Sequence, residues 1–341
     1  MSDAVLRVGV LGCAGIARRR MLPAMTAAPG IEVVAVASRD AAKAAETART
    51  YGCRPVTGYA ELLALDEVDA VYVPLPAALH ERWVAAALRA GKHVLAEKPL
   101  TTDRARTAEL LTLAGGLGLV LMENVMFVHH GQHEAVRKAL AEGAIGELRA
   151  MHAAFAIPRL QDADIRYDAD LGGGALWDVG VYPVRAALHF LGPELRVAGA
   201  VLTEGEGRRV DTSGAAVLHT PDGVTAQLTF GLDHPYVATY ELWGTDGRLT
   251  VERAFTPPAD FRPQVRLRRA DGEKELPLPP DDQVANTVAA FVRAVRDAQG
   301  GGEAPDGRAA VLRQAELLHE IREAARLAAS DLGVRREDRE R

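Results

Sequence analysis

The sequence predicts a two-domain protein. An N-terminal α/β domain on a doubly wound parallel sheet precedes an α+β domain with a large, mainly antiparallel sheet. Three observations carry this reading. A chain of 341 residues suits two domains at about 100–200 residues each. Its first third alternates short apolar runs with helical patterns, the grammar of a parallel sheet covered on both faces. After Met122, Asp-Gly turns between β-rich runs take over, and these are hairpin signals.

In order, Leu6–Leu11 reads as a strand and Ile16–Ala28 as the helix that follows. Glu32–Ala37 is the second strand, and Asp40–Tyr51 a helix with Asp40 as its N-cap, since a short acidic side chain satisfies the first helical amides. Val68–Val73, Val94–Ala96 and Leu119–Met122 are further strands, separated by helices over Leu79–Ala90 and Asp103–Ala114. Beyond them, Leu148–Ile157 and Leu195–Thr203 read as strands. Asp222-Gly223, Asp246-Gly247 and Asp271-Gly272 mark three hairpins. Helices over Asp282–Ala298 and Arg308–Leu327 close the fold, split by Gly300-Gly301-Gly302. The expected division is residues 1–121 for the first domain, 122–331 for the second and 332–341 for a charged, solvated tail.

Composition narrows the class. Hydrophobic residues make up 48% and charged residues 25%, ordinary for a globular protein and incompatible with general disorder. The apolar runs fall short of the roughly 20 residues a membrane helix needs. Residues 1–12 enter a strand without a signal-peptide pattern. Forty basic against 46 acidic residues give −6, which argues against a nucleic-acid partner. Cys13 and Cys53 cannot build a disulfide framework, and the chain is expected in the reducing cytoplasm. His129 and His130 have no second cluster to complete a metal set, so no metal is expected. Five of the basic residues are lysines, and arginine cannot replace a lysine where a compact ammonium is required.

The first chemical signature is Gly9-Val10-Leu11-Gly12-Cys13-Ala14-Gly15-Ile16-Ala17, between the first strand and first helix. Such a turn lets backbone approach a pyrophosphate, which then rests on the amides of the helix N-terminus. Ala14 stands where a second glycine is usual, with Gly15 beside it. The site is assigned to Gly12, Ala14, Gly15 and Ile16. A dinucleotide lacking the 2′-phosphate usually meets a carboxylate at the end of the second strand. Here that strand ends Ser38-Arg39-Asp40, with Lys43 one turn on. With Asp40 turned back as N-cap, Ser38, Arg39 and Lys43 favour a phosphate, and the expected cofactor is NADP(H).

The second signature is Glu97-Lys98-Pro99 at the carboxyl end of an apolar strand, where ligands of open parallel sheets bind. An ammonium there polarises a carbonyl and steadies an alkoxide.

Together, Gly12–Ala17, Ser38-Arg39, Pro74-Leu75-Pro76 with His80, Ala90–Pro99 and Gly172–Pro183 resemble the Gfo/Idh/MocA oxidoreductases over essentially the whole chain. The resemblance implies a Rossmann domain followed by a substrate-binding and oligomerising domain, catalysis by Lys98, Asp178 and Tyr182, and cofactor contacts from Leu75, Pro76, His80, Glu97 and Lys98. Polyol dehydrogenases of this family carry histidine where this chain has Tyr182. Histidine suits proton removal, whereas a tyrosine is protonated at neutral pH and suits proton donation to a forming alkoxide. Tyr182 therefore favours ketone reduction.

Gly12-Cys13-Ala14, Glu123–His130, Asp164–Tyr167 and Ala254–Ala259 further resemble the sugar-nucleotide 3-ketoreductases of deoxysugar and antibiotic biosynthesis. That implies NADPH-dependent reduction of the C3 ketone of a dTDP-linked 3,4-diketo-2,6-dideoxyhexose. Asn124, Lys98 and Tyr182 are expected at the substrate, with Arg159 and Arg166 as candidates for its diphosphate. One apolar face of such a sheet needs a cover, which in this family is usually another subunit, so the resemblance implies a homodimer or homotetramer. Two other readings stand beside this one: an NADP-dependent dehydrogenase of a free sugar or dihydrodiol, and a non-catalytic dinucleotide sensor.

Overall fold

The computed structural model describes residues 5–300 and 307–331. They form two compact units. One holds residues up to 129 together with 282–312, and the other holds 130–281 and the chain from 313 onward. The expected tail at 332–341 and the glycines at 301 and 302 lie outside the described residues.

The first unit opens with β1 (Leu6–Leu11), a π-helical turn over Ala17–Met21 and α1 (Leu22–Ala27). It continues through β2 (Ile31–Ser38), α2 (Ala41–Tyr51), β3 (Arg54–Thr57), α3 (Tyr59–Leu63) and β4 (Ala70–Val73). α4 (His80–Arg89), β5 (His93–Glu97), α5 (Arg104–Gly116) and β6 (Leu121–Asn124) complete the alternation. The six strands are parallel in the order β3-β2-β1-β4-β5-β6. The order reverses direction between β1 and β4, and that switch point opens a crevice at the carboxyl ends of the strands.

Both sheet faces are covered, which is why the strands are apolar at nearly every position. One face packs Val71, Val73, Leu62, Val84, Leu88 and Leu110. The other packs Val8, Val10, Met21, Met25, Tyr72 and Leu95 against Val288, Phe291 and Val295. Those last three belong to the helix Gln283–Gln299, which thus returns to the first unit instead of staying in the 122–331 block. Its apolar residues recur every three or four positions, so one stripe is buried, and each large side chain contributes about 1.5–3 kcal/mol.

The second unit contains α6 (Gly131–Ala141), β7 (Leu148–Ala156), α7 (Val181–Leu191) and β8 (Arg196–Glu204). β9 (Asp211–His219), β10 (Thr225–Gly231), β11 (Val237–Gly244), β12 (Gly247–Glu252), β13 (Gln264–Arg269) and β14 (Gly272–Leu276) follow. They form an eight-stranded sheet, β14-β13-β12-β11-β7-β10-β9-β8. Every neighbouring pair is antiparallel except β7 and β10. All three expected Asp-Gly hairpins are present, as β9–β10, β11–β12 and β13–β14.

Alternation along the strands buries Met151, Phe155, Leu228, Phe230, Tyr240 and Leu242 on one face. The opposite parity leaves Val201, Val217 and Trp243 exposed. On the covered side, the ring of His133 on α6 meets Tyr240 Oη at 2.9 Å and the Ala254 carbonyl at 3.0 Å. Among the described residues, no helix is long and apolar enough to cross a membrane.

Candidate active site

The dinucleotide turn begins where β1 ends. Gly12 has φ +125°, a conformation nearly closed to side chains, and its amide donates to Ala37 O at 2.9 Å. A Cβ there would stand 3.0 Å from Leu75 Cδ2. Arg18 N closes the first helical turn on Ala14 O at 3.1 Å, so the amides just before it are those a helix leaves unpaired. Ala14, Gly15 and Ile16 are half-buried on this turn, a cradle suited to an anion.

At the end of β2, Asp40 accepts from the amides of Ala42 and Lys43 at 2.9 and 3.2 Å. Its carboxylate is thus spent on capping α2, as the sequence predicts. Ser38 is buried and its Oγ accepts from Asp40 N at 3.1 Å. Arg39 and Lys43 are exposed beside it. The pair puts two cations at the end of β2.

β5 delivers Glu97, Lys98 and Pro99 to the carboxyl edge of the sheet, with a cis bond between Lys98 and Pro99. Glu97 Oε1 accepts from Tyr72 Oη at 2.6 Å and from Asn124 Nδ2 at 2.7 Å. Burial and the Glu97 charge push the Tyr72 phenol well above its ordinary range, so it remains a donor. Asn124 is buried with its amide directed at Glu97, and among the described residues its Oδ1 has no hydrogen-bond partner. Leu100 N donates to Glu123 Oε1 at 2.8 Å, and Glu123 is 4% exposed.

His80, expected at the cofactor, is turned into the protein. Its side chain is fully buried. Nε2 meets the Leu75 carbonyl at 2.7 Å, and Nδ1 meets the Pro99 and Leu100 carbonyls at 3.0 and 3.2 Å. The ring thus ties Leu75 to the Pro99-Leu100 turn. Burial draws its basicity below that of an ordinary imidazole, against the pull of those carbonyls and of Glu97. Pro76 is half-buried beside Leu75.

In the second unit, the glycine run folds back on the preceding loop. Gly173 N donates to Asp168 O and Gly174 N to Arg166 O, both at 2.9 Å. A Cβ on Gly173 would lie 2.4 Å from Arg166 O, so only glycine fits. A π-helical turn over Leu176–Gly180 then runs into α7. Asp178 and Tyr182 stand one turn apart on this helical stretch, on one side of it. Asp211 on β9 accepts from Leu176 N at 2.7 Å and so caps the stretch. Burial raises its carboxyl to about 6.

Asp178 Oδ2 accepts from Arg166 Nε at 2.6 Å, and Arg166 Nη1 reaches Asp164 Oδ1 at 3.1 Å. Burial alone would lower the Arg166 guanidinium, but Asp178 and Asp164 outweigh it and hold the group raised. The Tyr182 ring is half-buried, edge-on to Phe155 at 4.7 Å and tilted on Phe255 at 5.8 Å. Arg159 is exposed and paired with Asp162 at 3.1 Å. Trp177 is buried with Arg322 over its ring at 5.3 Å, a packing role. Sequence reasoning missed Tyr72, Glu123 and Asp211. An acidic residue within the apolar run ahead of Asn124 was the available signal for Glu123.

Comparison with known proteins follows the same division. Residues 6–125 match the Gfo/Idh/MocA oxidoreductase family, NAD-binding Rossmann fold. Residues 133–250 match the Gfo/Idh/MocA C-terminal domain. The chain is 55% identical over 328 residues to a dTDP-3,4-didehydro-2,6-dideoxy-α-D-glucose 3-reductase of Streptomyces violaceoruber, covering 94% of this chain and 96% of that one. It is 52% identical to the protein of the same name from Streptomyces antibioticus, covering 94% and 98%. Among solved structures, a 3-ketoreductase from Actinomadura kijaniata in complex with NADP and TDP-benzene superposes with a TM-score of 0.91. That protein is 51% identical, over 94% of this chain and 98% of the other. Two matching domains in the family's order, and relatives of this identity over nearly full length, identify the chain as a member of the Gfo/Idh/MocA oxidoreductase family.

Proposed function

We propose that this chain is an NADPH-dependent 3-ketoreductase, reducing the C3 ketone of a dTDP-linked 3,4-diketo-2,6-dideoxyhexose to the alcohol. The observation that carries the reading is the identity of 55% over 94% of the chain to a reductase of that sugar. The residues fit the cofactor. Gly12 leaves room where a Cβ would crowd Leu75, the Asp40 carboxylate caps α2 while the Arg39 and Lys43 side chains stand exposed beside Ser38, and the buried Asn124 Oδ1 is left to accept a donor.

NADPH, when bound, supplies the hydride that reaches C3. Lys98 donates a charge-assisted hydrogen bond to the C3 oxygen and steadies the negative charge that grows there. A donor of this kind contributes about 3–4 kcal/mol. Tyr182 delivers the proton that completes the hydroxyl, and a positioned acid of this kind is worth about 10²–10⁴ in rate. Asp178, one turn away, orients the acid, and Arg166 holds Asp178 in place by its 2.6 Å bond. With both its carboxylates near, Arg166 suits that duty better than a diphosphate. Arg159, on an exposed and exchangeable pair, is the better candidate for the phosphates.

The exposed sheet face with Val201, Val217 and Trp243 is assigned to a second copy of the chain, giving a homodimer or homotetramer. A reaction that consumes NADPH and a nucleotide-linked sugar belongs in the cytoplasm, within deoxysugar assembly for natural products such as antibiotics. Turnover and NADPH binding of Lys98→Met and Tyr182→Phe test the assignment. Both variants are expected to lose turnover at least about 100-fold while NADPH fluorescence titrations stay near wild type. Wild-type turnover in both would overturn it.

A further inference from the structure

Glu123 is a buried carboxylate to which the reaction as described gives no task. It lies on β6, beside β5 in the sheet, and the register aligns it with Ala96, two residues before Lys98. At 4% exposure a charged group is costly unless it is bonded. One of its bonds is specific: Oε1 accepts the Leu100 amide at 2.8 Å. Leu100 follows Pro99, which has no amide to give, so the Leu100 N–H is the first main-chain donor after Lys98. On the same turn, the carbonyls of Pro99 and Leu100 face His80 Nδ1. Ahead of Lys98, Glu97 is held by Tyr72 and Asn124.

The geometry points to Glu123 as a positioning residue that anchors the Leu100 amide and so fixes where Lys98 stands. This rests on the assignment of Lys98 to the carbonyl oxygen. The physical reason is leverage. Lys98 has a flexible four-carbon stem, so the direction its ammonium takes depends on a backbone that does not shift. Glu123 and His80 hold the main chain just beyond it from two sides, one through an N–H and the other through carbonyls. The carboxylate contributes as an acceptor, and its charge is not the part the anchor uses.

Two substitutions separate these possibilities, because glutamine keeps an Oε1 acceptor and alanine does not. Glu123→Ala is expected to lower kcat about 10- to 100-fold, the range a misplaced catalytic group costs. KM for NADPH should stay within about threefold. Glu123→Gln is expected to restore kcat to within about threefold of wild type. His80→Asn provides a second variant on the other side of the turn, with a fall in kcat and little change in NADPH affinity. Lys98→Met is assayed in parallel. If it retains turnover, the role of Lys98 itself is wrong, whatever the Glu123 variants do.

With Lys98→Met inactive, three results would overturn the anchor. One is Glu123→Ala at wild-type kcat with only a lower melting temperature, which is a purely structural role. Another is Glu123→Gln as impaired as Glu123→Ala, which assigns the effect to charge. The last is a loss of NADPH binding matching the loss of kcat, which moves Glu123 to cofactor retention. Should Glu123→Ala not fold, the Glu123→Gln and His80→Asn kinetics still decide.

Discussion

Acidification should destabilise the second unit through His189, and the effect can be worked from its surroundings. His189 lies in the last turn of α7, the helix that carries Tyr182 in its first turn. Its ring sits 4.9 Å from Phe190 and 6.4 Å from His133. Among the described residues, its buried Nε2 has no hydrogen-bond partner. Burial, with Arg137 and Arg185 adding to it, lowers the imidazole to about 4. The unfolded chain protonates near 6.5. A group whose folded pKa is lowered this way keeps its full contribution above about 6.5 and loses it progressively as the pH falls toward 4. At pH 5 the linkage amounts to about 2 kcal/mol for a fully shielded ring.

His189 is only half-buried, so screening reduces the expected loss to about 1 kcal/mol. In a unit of this size that corresponds to roughly 2–4 °C in Tm. Thermal melts at pH 7.5 and pH 5.0, on wild type and His189→Gln, isolate the contribution. His133 is likewise held well below the ordinary value, by burial first and then by His189 and His130, so the difference between the two proteins reads His189 together with its effect on His133. The variant is expected to lose less stability on acidification by that amount. Equal pH sensitivity in the two proteins would refute the argument.

Three further outcomes follow from the geometry. Gly12→Ala forces a side chain onto φ +125° beside Leu75; it should cost about 1–3 kcal/mol of stability and weaken NADPH binding, read by melting and fluorescence titration. Arg39→Ala with Lys43→Ala removes the two exposed cations beyond Ser38. KM for NADPH should rise at least about tenfold while KM for NADH barely moves, measured with both cofactors under the same substrate. Arg166→Met leaves Asp178 without its 2.6 Å partner and should lower kcat with a stability loss of about 1–3 kcal/mol. Arg166→Lys, with a single ammonium in place of a planar fork, should recover only part of that rate in steady-state kinetics.

Much of this architecture was legible in the chain because burial on both faces leaves a strong mark. β1, β2 and β4 are nearly continuous apolar runs, as are the centre of β5 and the residues leading into β6, and Asp40, Asp103 and Asp282 announce helix starts by capping them. The Asp-Gly turns gave the hairpins of the second sheet in register order. β3 escaped because it is a four-residue edge strand with Pro55 inside it and every residue but Val56 exposed; edges are where a proline is tolerated. α3 is a single short turn after Gly58, too brief for a periodic signal. The return of helix Gln283–Gln299 to the first unit depends on tertiary packing that local pattern does not carry.

The site divides the same way. Lys98, Tyr182 and the glycine turn, to which we assign the chemistry, stand in motifs that are readable in the chain. Their supports are not. Asp211 reaches Leu176 across 35 positions, Arg166 turns to Asp178 through a loop of short helical turns, and His80 faces carbonyls of two separate loops. Such contacts are set by where loops cross, and a single sequence gives no pattern for that.

The central claim is reduction of a sugar C3 ketone with NADPH. It is tested most directly by following nicotinamide absorbance with enzyme, NADPH and a dTDP-4-keto-6-deoxyglucose substrate, with and without a 2,3-dehydratase that generates the labile 3-ketone. The account predicts NADPH loss only when the dehydratase is present, and none from Lys98→Met. No loss in either mixture, together with NADP⁺ reduction by simple aldoses or diols, would contradict it.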